Sequence, residues 1–392
     1  MLRGAPWESA RPHELAVNLV LLGLSITSSW GNGHATTYRG LVRGLARAGH
    51  DVLFLERDKP WYAGNRDLPE PPYGRTALYQ DLDELARRWT PAIRAADLVL
   101  VGSYVPDGVE VGRLVQREAR GLTAFYDIDT PVTLAALEAG ACEYLTPELL
   151  PGYDLYLSFT GGPTLRHLEA LGAPLARPLY CSADPEVYRP DPAAPVRWDL
   201  GYLGTYSADR QPTVDALLCR PARAWPEGHF VVAGPQYPEG HDWPGNVERV
   251  QHLAPDKHRG FYAAQRYTLN VTRADMIRRG HSPSVRLFEA AACCVPIVSD
   301  WWTGLDEFFR PGEEILIARD AEDVLAVLRE VPEERRRAIA ERARARVLAS
   351  HTGDHRAAEL VAYAAEAARA RASKAPPAAP SGAPAGPRAV RA

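Results

Sequence analysis

The chain has almost no lysine. Lys59, Lys257 and Lys374 are the only three among 45 basic residues, so arginine carries nearly all the positive charge. Acidic residues outnumber basic ones and the net charge is −4, which argues against a dedicated nucleic-acid binder, whose affinity rests on a positive surface. Cysteine is scarce and odd in number. Cys142, Cys181, Cys219, Cys293 and Cys294 make no C-x-x-C pair, and a reducing cytoplasm suits them. No apolar run is long enough to span a bilayer; the nearest, Leu15 to Ile26, is short and contains Asn18. Arg3 and Arg11 precede it as in a signal peptide. Against that stand Glu8, Glu14 and the lack of a small-residue cleavage site, and cleavage would delete the first strand of an otherwise complete βαβ pattern. No repeat of solenoid period is visible.

What is present is alternation of strand and helix over 392 residues, enough for two α/β domains. Strands are expected at about Val17 to Leu24, Val52 to Leu55, Leu98 to Val101, Leu122 to Tyr126 and Leu155 to Phe159, with a helix from about Ala35 to Ala48 and another near Leu82 to Ala95. Proline-rich sequence then interrupts, and the interdomain linker is placed near residues 182–197. The pattern resumes at Leu200 to Leu203 and continues through Phe230 to Ala233, Val247 to Leu253 and Thr268 to Val271. Helices follow near Asp323 to Arg329 and Glu333 to Ala349. The expected division is 1–185, 198–350, a helical segment 351–372 and a disordered tail 373–392 rich in Ala, Pro and Gly. The fold class is α/β, two Rossmann-like, doubly wound parallel-sheet domains facing a cleft.

Thr272 to Ala318 carries the most chemistry. Ser282, Pro283 and Ser284 mark a helix start, with either hydroxyl suited to capping, and helix is expected from Val285 to about Cys293. Its positive end favours a diphosphate, Arg286 adds a guanidinium, and Glu289 one turn on can accept from two ribose hydroxyls. Val295 to Val298 read as a buried strand ending at Ser299 and Asp300.

This segment resembles the donor-binding domain of GT-B glycosyltransferases, most closely the CgeB-like (spore maturation protein CgeB) family. Further matches are GNGHATTYRGL at Gly31, FLERDKPWY at Phe54, YDIDTPVTL at Tyr126, LSFTGGPTL at Leu157, DLGYLGTYSADRQP at Asp199 and VVAGPQYP at Val231. The chain departs from the pattern at Cys294, where glycine is expected, and at His281, where retaining enzymes have Glu eight residues before Glu289. The resemblance implies a nucleoside-diphosphate sugar as co-substrate, with no other cofactor and no metal. It places Gly204, Thr205, Tyr206, Arg210 and Arg273 around the donor phosphates with Ser282, Ser284, Val285 and Arg286. Inverting members have a catalytic His in the loop after the first strand, which points to His34, beside an acceptor-side turn of Gly31, Asn32 and Gly33. Asp127 and Asp129 of YDIDTP are the other candidates for acceptor activation; their D-x-D spacing also suits a metal, and an Asx turn is the plainer reading. The acceptor is a saccharide, natural product or protein. No nucleic-acid partner and no transmembrane segment are expected.

Other patterns admit other readings. The glycines near residue 31 with Glu56 ending the second strand suggest a nicotinamide-dependent oxidoreductase, although the third glycine of that fingerprint is missing. A non-catalytic sugar or nucleotide binder is the third reading. His351 and His355 have metal-ligand spacing, yet Gly353 between them favours a solvent-facing pair. Trp61, Tyr62, Trp301 and Trp302 read equally as sugar platform or core.

Overall fold

The computed structural model describes residues 16–31 and 33–374. The first sheet holds β1 (Asn18–Gly23), β2 (Asp51–Arg57), β3 (Arg75–Tyr79), β4 (Leu98–Gly102), β5 (Leu122–Asp127), β6 (Leu155–Ser158) and β7 (Ala176–Pro178), all parallel, in the order β3-β2-β1-β4-β5-β6-β7. Strand β1 is a continuous apolar run because helices cover both faces of the sheet. Its side chains alternate between two cores. Leu19 and Leu21 join Tyr38 and Leu41 of helix His34–Arg47, whereas Val20 and Leu22 join Val111 and Val115 of helix Gly108–Glu118.

The second sheet repeats the plan with β8 (Trp198–Leu203), β9 (Phe230–Ala233), β10 (Val247–Val250), β11 (Gln265–Asn270), β12 (Ile297–Ser299) and β13 (Leu316–Ile317), parallel in the order β10-β9-β8-β11-β12-β13. Strand order therefore reverses between β1 and β4 and again between β8 and β11. No strand lies between β7 and β8, where the linker was expected.

The C-terminal helix, Gly353–Lys374, leaves the second domain and packs on the first. Ala357, Leu360 and Ala364 share a core with Leu41 and Leu45 of helix His34–Arg47. A Cβ at Gly44 would overlap the Gly353 backbone, so the two helices approach this closely because both residues are glycine. At the crossing, Ala183 N–H donates to the carbonyl of His351 at 3.0 Å, and Ala183 pairs with Thr352 in an isolated parallel bridge. Ser373 and Lys374, expected in the tail, belong to this helix; the rest of the expected tail lies outside the described residues. No helix among the described residues is long and apolar enough to cross a membrane.

One local expectation changes and another is resolved. His351 and His355 do not form a solvent-facing pair on one helix. His351 ends helix Glu333–Ser350, stacks on Phe288 at 4.7 Å and accepts from Arg356 at 2.7 Å, and burial, reinforced by Arg356, pushes its pKa down to about 3. His355 instead sits 2.7 Å from Thr352 Oγ1. The turn after helix Val285–Ala292 keeps the geometry of a glycine without having one: Cys294 adopts φ 60° while its N–H donates to Ala291 and that of Val295 to Ala290.

Candidate functional site

Reversal of strand order opens a crevice at the carboxyl ends of β1 and β4, and of β8 and β11. The loops after β1, β8 and β11 and the start of helix Val285–Ala292 meet there. An open cavity of about 230 Å³ is lined by Gly31, Gly33 and Thr36 from the first domain and by Gly204, Arg286 and Glu289 from the second.

Arg286 is 8% exposed and fixed from several sides. Its guanidinium donates to the carbonyl of Leu203 and, at 2.9 Å, to Asn270 Oδ1, and lies 4.9 Å over the Tyr202 ring. Gly204 leaves room for it, since a Cβ there would stand 3.0 Å from Nη2. Arg210 donates to the Thr205 carbonyl at 2.6 Å, and its buried Nε has no partner. Burial, with Arg286 and Arg273 nearby, lowers its pKa. Arg273, following β11, reaches across to the first domain, where Nη1 lies 3.4 Å from Asp129 Oδ2; its Nε is also buried and unpartnered. Asp129 and Asp209 face Arg210 and Arg273, and Asp300 faces Arg286. Arg210 and Arg273 each keep a buried Nε–H without a partner, and clustered guanidinium groups with free N–H suit a polyanion.

The serines at the helix start behave differently from expectation. Ser284 takes the extended N-cap conformation but gives its hydroxyl to Asn270 Oδ1 at 2.9 Å, and Ser282, buried, accepts from Thr160 of the first domain at 3.0 Å. Neither caps the helix. Val285 and Arg286 of its first turn line the cavity, and the helix start has no side-chain cap. One turn on, Glu289 is 4% exposed, lines the same cavity and accepts from the Tyr262 hydroxyl at 3.1 Å.

On the first-domain side His34 opens helix His34–Arg47, with Gly33 as its N-cap and Gly31 at φ 68°. Its ring meets Tyr104 edge-on at 5.2 Å, and its buried Nδ1 has no partner. Burial holds its pKa down to about 4, leaving a neutral imidazole at pH 7. The Tyr104 hydroxyl lies 3.4 Å from Asp129 Oδ2, so His34, Tyr104, Asp129 and Arg273 form a line across the cleft. Burial raises the pKa of Asp129, with Arg273 opposing. Asp127 does not reach the cleft. It is wholly buried, accepts from Tyr156 at 2.6 Å and Thr133 at 2.7 Å, and its pKa is raised to about 6 by that burial, so it braces the loop that presents Asp129. Asn32 lies outside the described residues.

Residues 210–362 match a family model described as "Glycosyl transferase-like". No curated protein is similar to the chain in sequence. Among solved structures, sucrose-phosphate synthase of Thermosynechococcus elongatus shares 17% identity over 90% of this chain and 100% of that one, with a TM-score of 0.64. HepE of Anabaena in complex with UDP shares 13% over 89% and 100%, with a TM-score of 0.66, and trehalose 6-phosphate synthase of Burkholderia multivorans shares 11% over 91% and 100%, with 0.58. Identity at this level fixes architecture, and with two parallel sheets of seven and six strands the architecture is decided. The fold is GT-B.

Within the GT-B frame the remaining candidates fall into place. His281, at φ 47°, wedges its ring between Gly162 of the first domain and Gly304 of the second, with Nδ1 2.9 Å from Glu307 Oε1 and its carbonyl accepting from Gly161. It is therefore a domain-interface residue. Glu56 is wholly buried and accepts from the N–H groups of Ile26 and Thr27 and the Thr27 hydroxyl, at 2.7, 3.0 and 2.6 Å. It braces the loop after β1 and is not presented to a ribose, which removes the main support for the oxidoreductase reading. Tyr62 and Trp302 are core residues while Trp61 and Trp301 are about half exposed, so neither aromatic pair forms a platform. Tyr206 packs on Tyr237 outside the cavity lining. A larger cavity of about 480 Å³ opens between helices Thr130–Glu138, Pro163–Ala170 and Ala274–Arg279, but its arginines are already paired, Arg279 with Glu138 and Arg278 with Asp275. Tyr104, Asn270 and Tyr262 went unnoticed in the sequence; the first two end or follow a strand beside a reversal of strand order, which is the signal that would have found them.

Proposed function

We propose that this GT-B protein transfers a sugar from a nucleoside-diphosphate sugar to an acceptor hydroxyl, as a member of the CgeB-like group acting in the cytoplasm. The observation that carries the reading is one cavity lined by Arg286, an uncapped helix start and Glu289, with Arg210 and Arg273 close to Arg286 beside it. HepE, whose fold is similar, has been solved in complex with UDP-glucose, and that supports a sugar nucleotide as the occupant. Glu289 holds the ribose hydroxyls, and the arginines and helix start hold the diphosphate, doing the neutralising that a metal does elsewhere. Neutral His34 takes the acceptor's proton as the acceptor oxygen bonds to the anomeric carbon. The carbon–oxygen bond to the diphosphate breaks, its electron pair leaving on the phosphate oxygen. Each fixed donor aimed at that growing charge contributes on the order of 3 kcal/mol.

The test is calorimetric titration of UDP, GDP, TDP and ADP into the protein with chelator present, using wild type and Glu289→Ala. One nucleoside diphosphate is expected to bind, and the variant to bind it about 100-fold more weakly, from losing charged hydrogen bonds of about 3 kcal/mol in all. Equal affinity in both proteins sinks the ribose assignment; no binding by any nucleotide sinks the transferase reading.

A further inference from the structure

We propose that Asp215, Cys219 and His241 form a zinc site that fastens the loop between β9 and β10 to the helical segment that begins beside Arg210. A carboxylate oxygen of Asp215, Cys219 Sγ and a ring nitrogen of His241 all lie within 4.8 Å of one another, and His241 Nε2 stands 3.6 Å from Asp215 Oδ1. A tetrahedral zinc with bonds of about 2.0 to 2.3 Å needs its ligand atoms roughly 3.3 to 3.6 Å apart, so small side-chain movements close the site. Asp215 and Cys219 are brought onto one face by the π-turn Asp215–Cys219, an interruption of the helix between Gln211–Val214 and Arg220–Ala224. A thiolate with a carboxylate balances a divalent charge, and sulfur with imidazole selects zinc over magnesium or calcium.

Access and the fourth position are also visible. The Asp215 and His241 side chains are 41% and 18% exposed while Cys219 lies buried behind them, so a cation enters from solvent and meets the thiol at the inner end. Gln211 Nε2 donates to Asp215 Oδ1 at 2.9 Å and lies 3.2 Å from His241 Nε2. Turning that carboxamide over presents its oxygen to the same point. A cysteine binds zinc as the thiolate, so binding expels a proton and weakens as pH falls.

The site would act on the cavity wall. The His241 ring packs at a tilt against Trp243 at 4.3 Å, Arg249 is held between Tyr237 and Trp243 at 4.1 and 4.7 Å, and the Tyr237 hydroxyl donates to the Gly204 carbonyl at 3.2 Å. Gly204, Gly234 and Pro235 of these loops line the cavity. A cation at Asp215, Cys219 and His241 thereby stiffens the wall without touching the reacting atoms.

Cobalt serves as a spectroscopic probe for zinc and needs no nucleotide, so its result stands apart from the transferase reading. Chelator-stripped protein titrated with Co²⁺ should develop, at one equivalent, the visible bands of a tetrahedral ion and a near-ultraviolet thiolate charge-transfer band, both erased by Zn²⁺. Cys219→Ser should lose the charge-transfer band and Cys294→Ser should keep it. His241→Ala, altered on a loop and therefore expected to fold, should bind at least about tenfold more weakly. Absence of the thiolate band in wild type, its persistence in Cys219→Ser, or undiminished affinity in His241→Ala overturns the proposal.

Discussion

Replacing Arg210 by alanine should slow turnover while leaving the ligand-free protein as stable as before, or more so. The guanidinium makes one hydrogen bond to the protein, to the Thr205 carbonyl, and its Nε is buried with none. Losing that bond costs about 1 kcal/mol. Against this, the substitution relieves a desolvated cation held near Arg286 and Arg273, the interactions that lower its own pKa. In the transition state the balance reverses, because the leaving diphosphate loses a fixed donor of on the order of 3 kcal/mol, or about 150-fold in kcat. Steady-state kinetics with the nucleotide sugar identified by titration, beside thermal unfolding of the ligand-free protein, read both quantities. Arg286→Ala is the contrast. Its guanidinium also anchors Leu203 and Asn270, so that variant should lose stability as well as turnover. The reasoning is refuted if Arg210→Ala unfolds at a markedly lower temperature while turnover changes less than about threefold, which would make Arg210 a structural residue.

Cys294→Gly should stabilise the second domain by about 0.5 to 1 kcal/mol, since relief of the left-handed strain at φ 60° outweighs the entropy that glycine adds to the unfolded chain; a melting temperature up by about 2 to 4 °C checks it, and any decrease contradicts it. The folded-state pKa of His34, held near 4, lies below its unfolded value of 6.5, so the native ring stays neutral while the unfolded one takes up a proton. Stability should therefore fall as pH drops from 6.5 toward 4, and the acid limb of kcat/KM should centre near 4; a limb at 6.5 or above would show that another group is the base.

Much of the architecture could be read from the chain, because helix-covered parallel strands such as Leu98 to Val101 and Phe230 to Ala233 leave continuous apolar runs. Strand β3 left no such trace: it lies at a sheet edge, and Arg75–Tyr79 buries fully only its last residue. In the site, the helix at Val285 and the cavity positions of Arg286 and Glu289 followed from local rules, since helix starts and turn spacing are local. What was not legible depended on distant partners. Ser284 turned from capping to Asn270, Ser282 was taken by Thr160, and Asp127 was drawn into the interior by Tyr156 and Thr133. Each of these bonds joins residues at least six positions apart, a choice no helix or strand period encodes.

The chain crosses between its two domains twice, and the crossings lie side by side, joined where Ala183 pairs with the His351 and Thr352 backbone. A single tether would let one domain swivel freely over the other. Two tethers laced at one point act as a pinned hinge, confining opening to rotation about that spot. A ligand that touches both domains then has a single rotation, about residues 183 and 352, to hold closed.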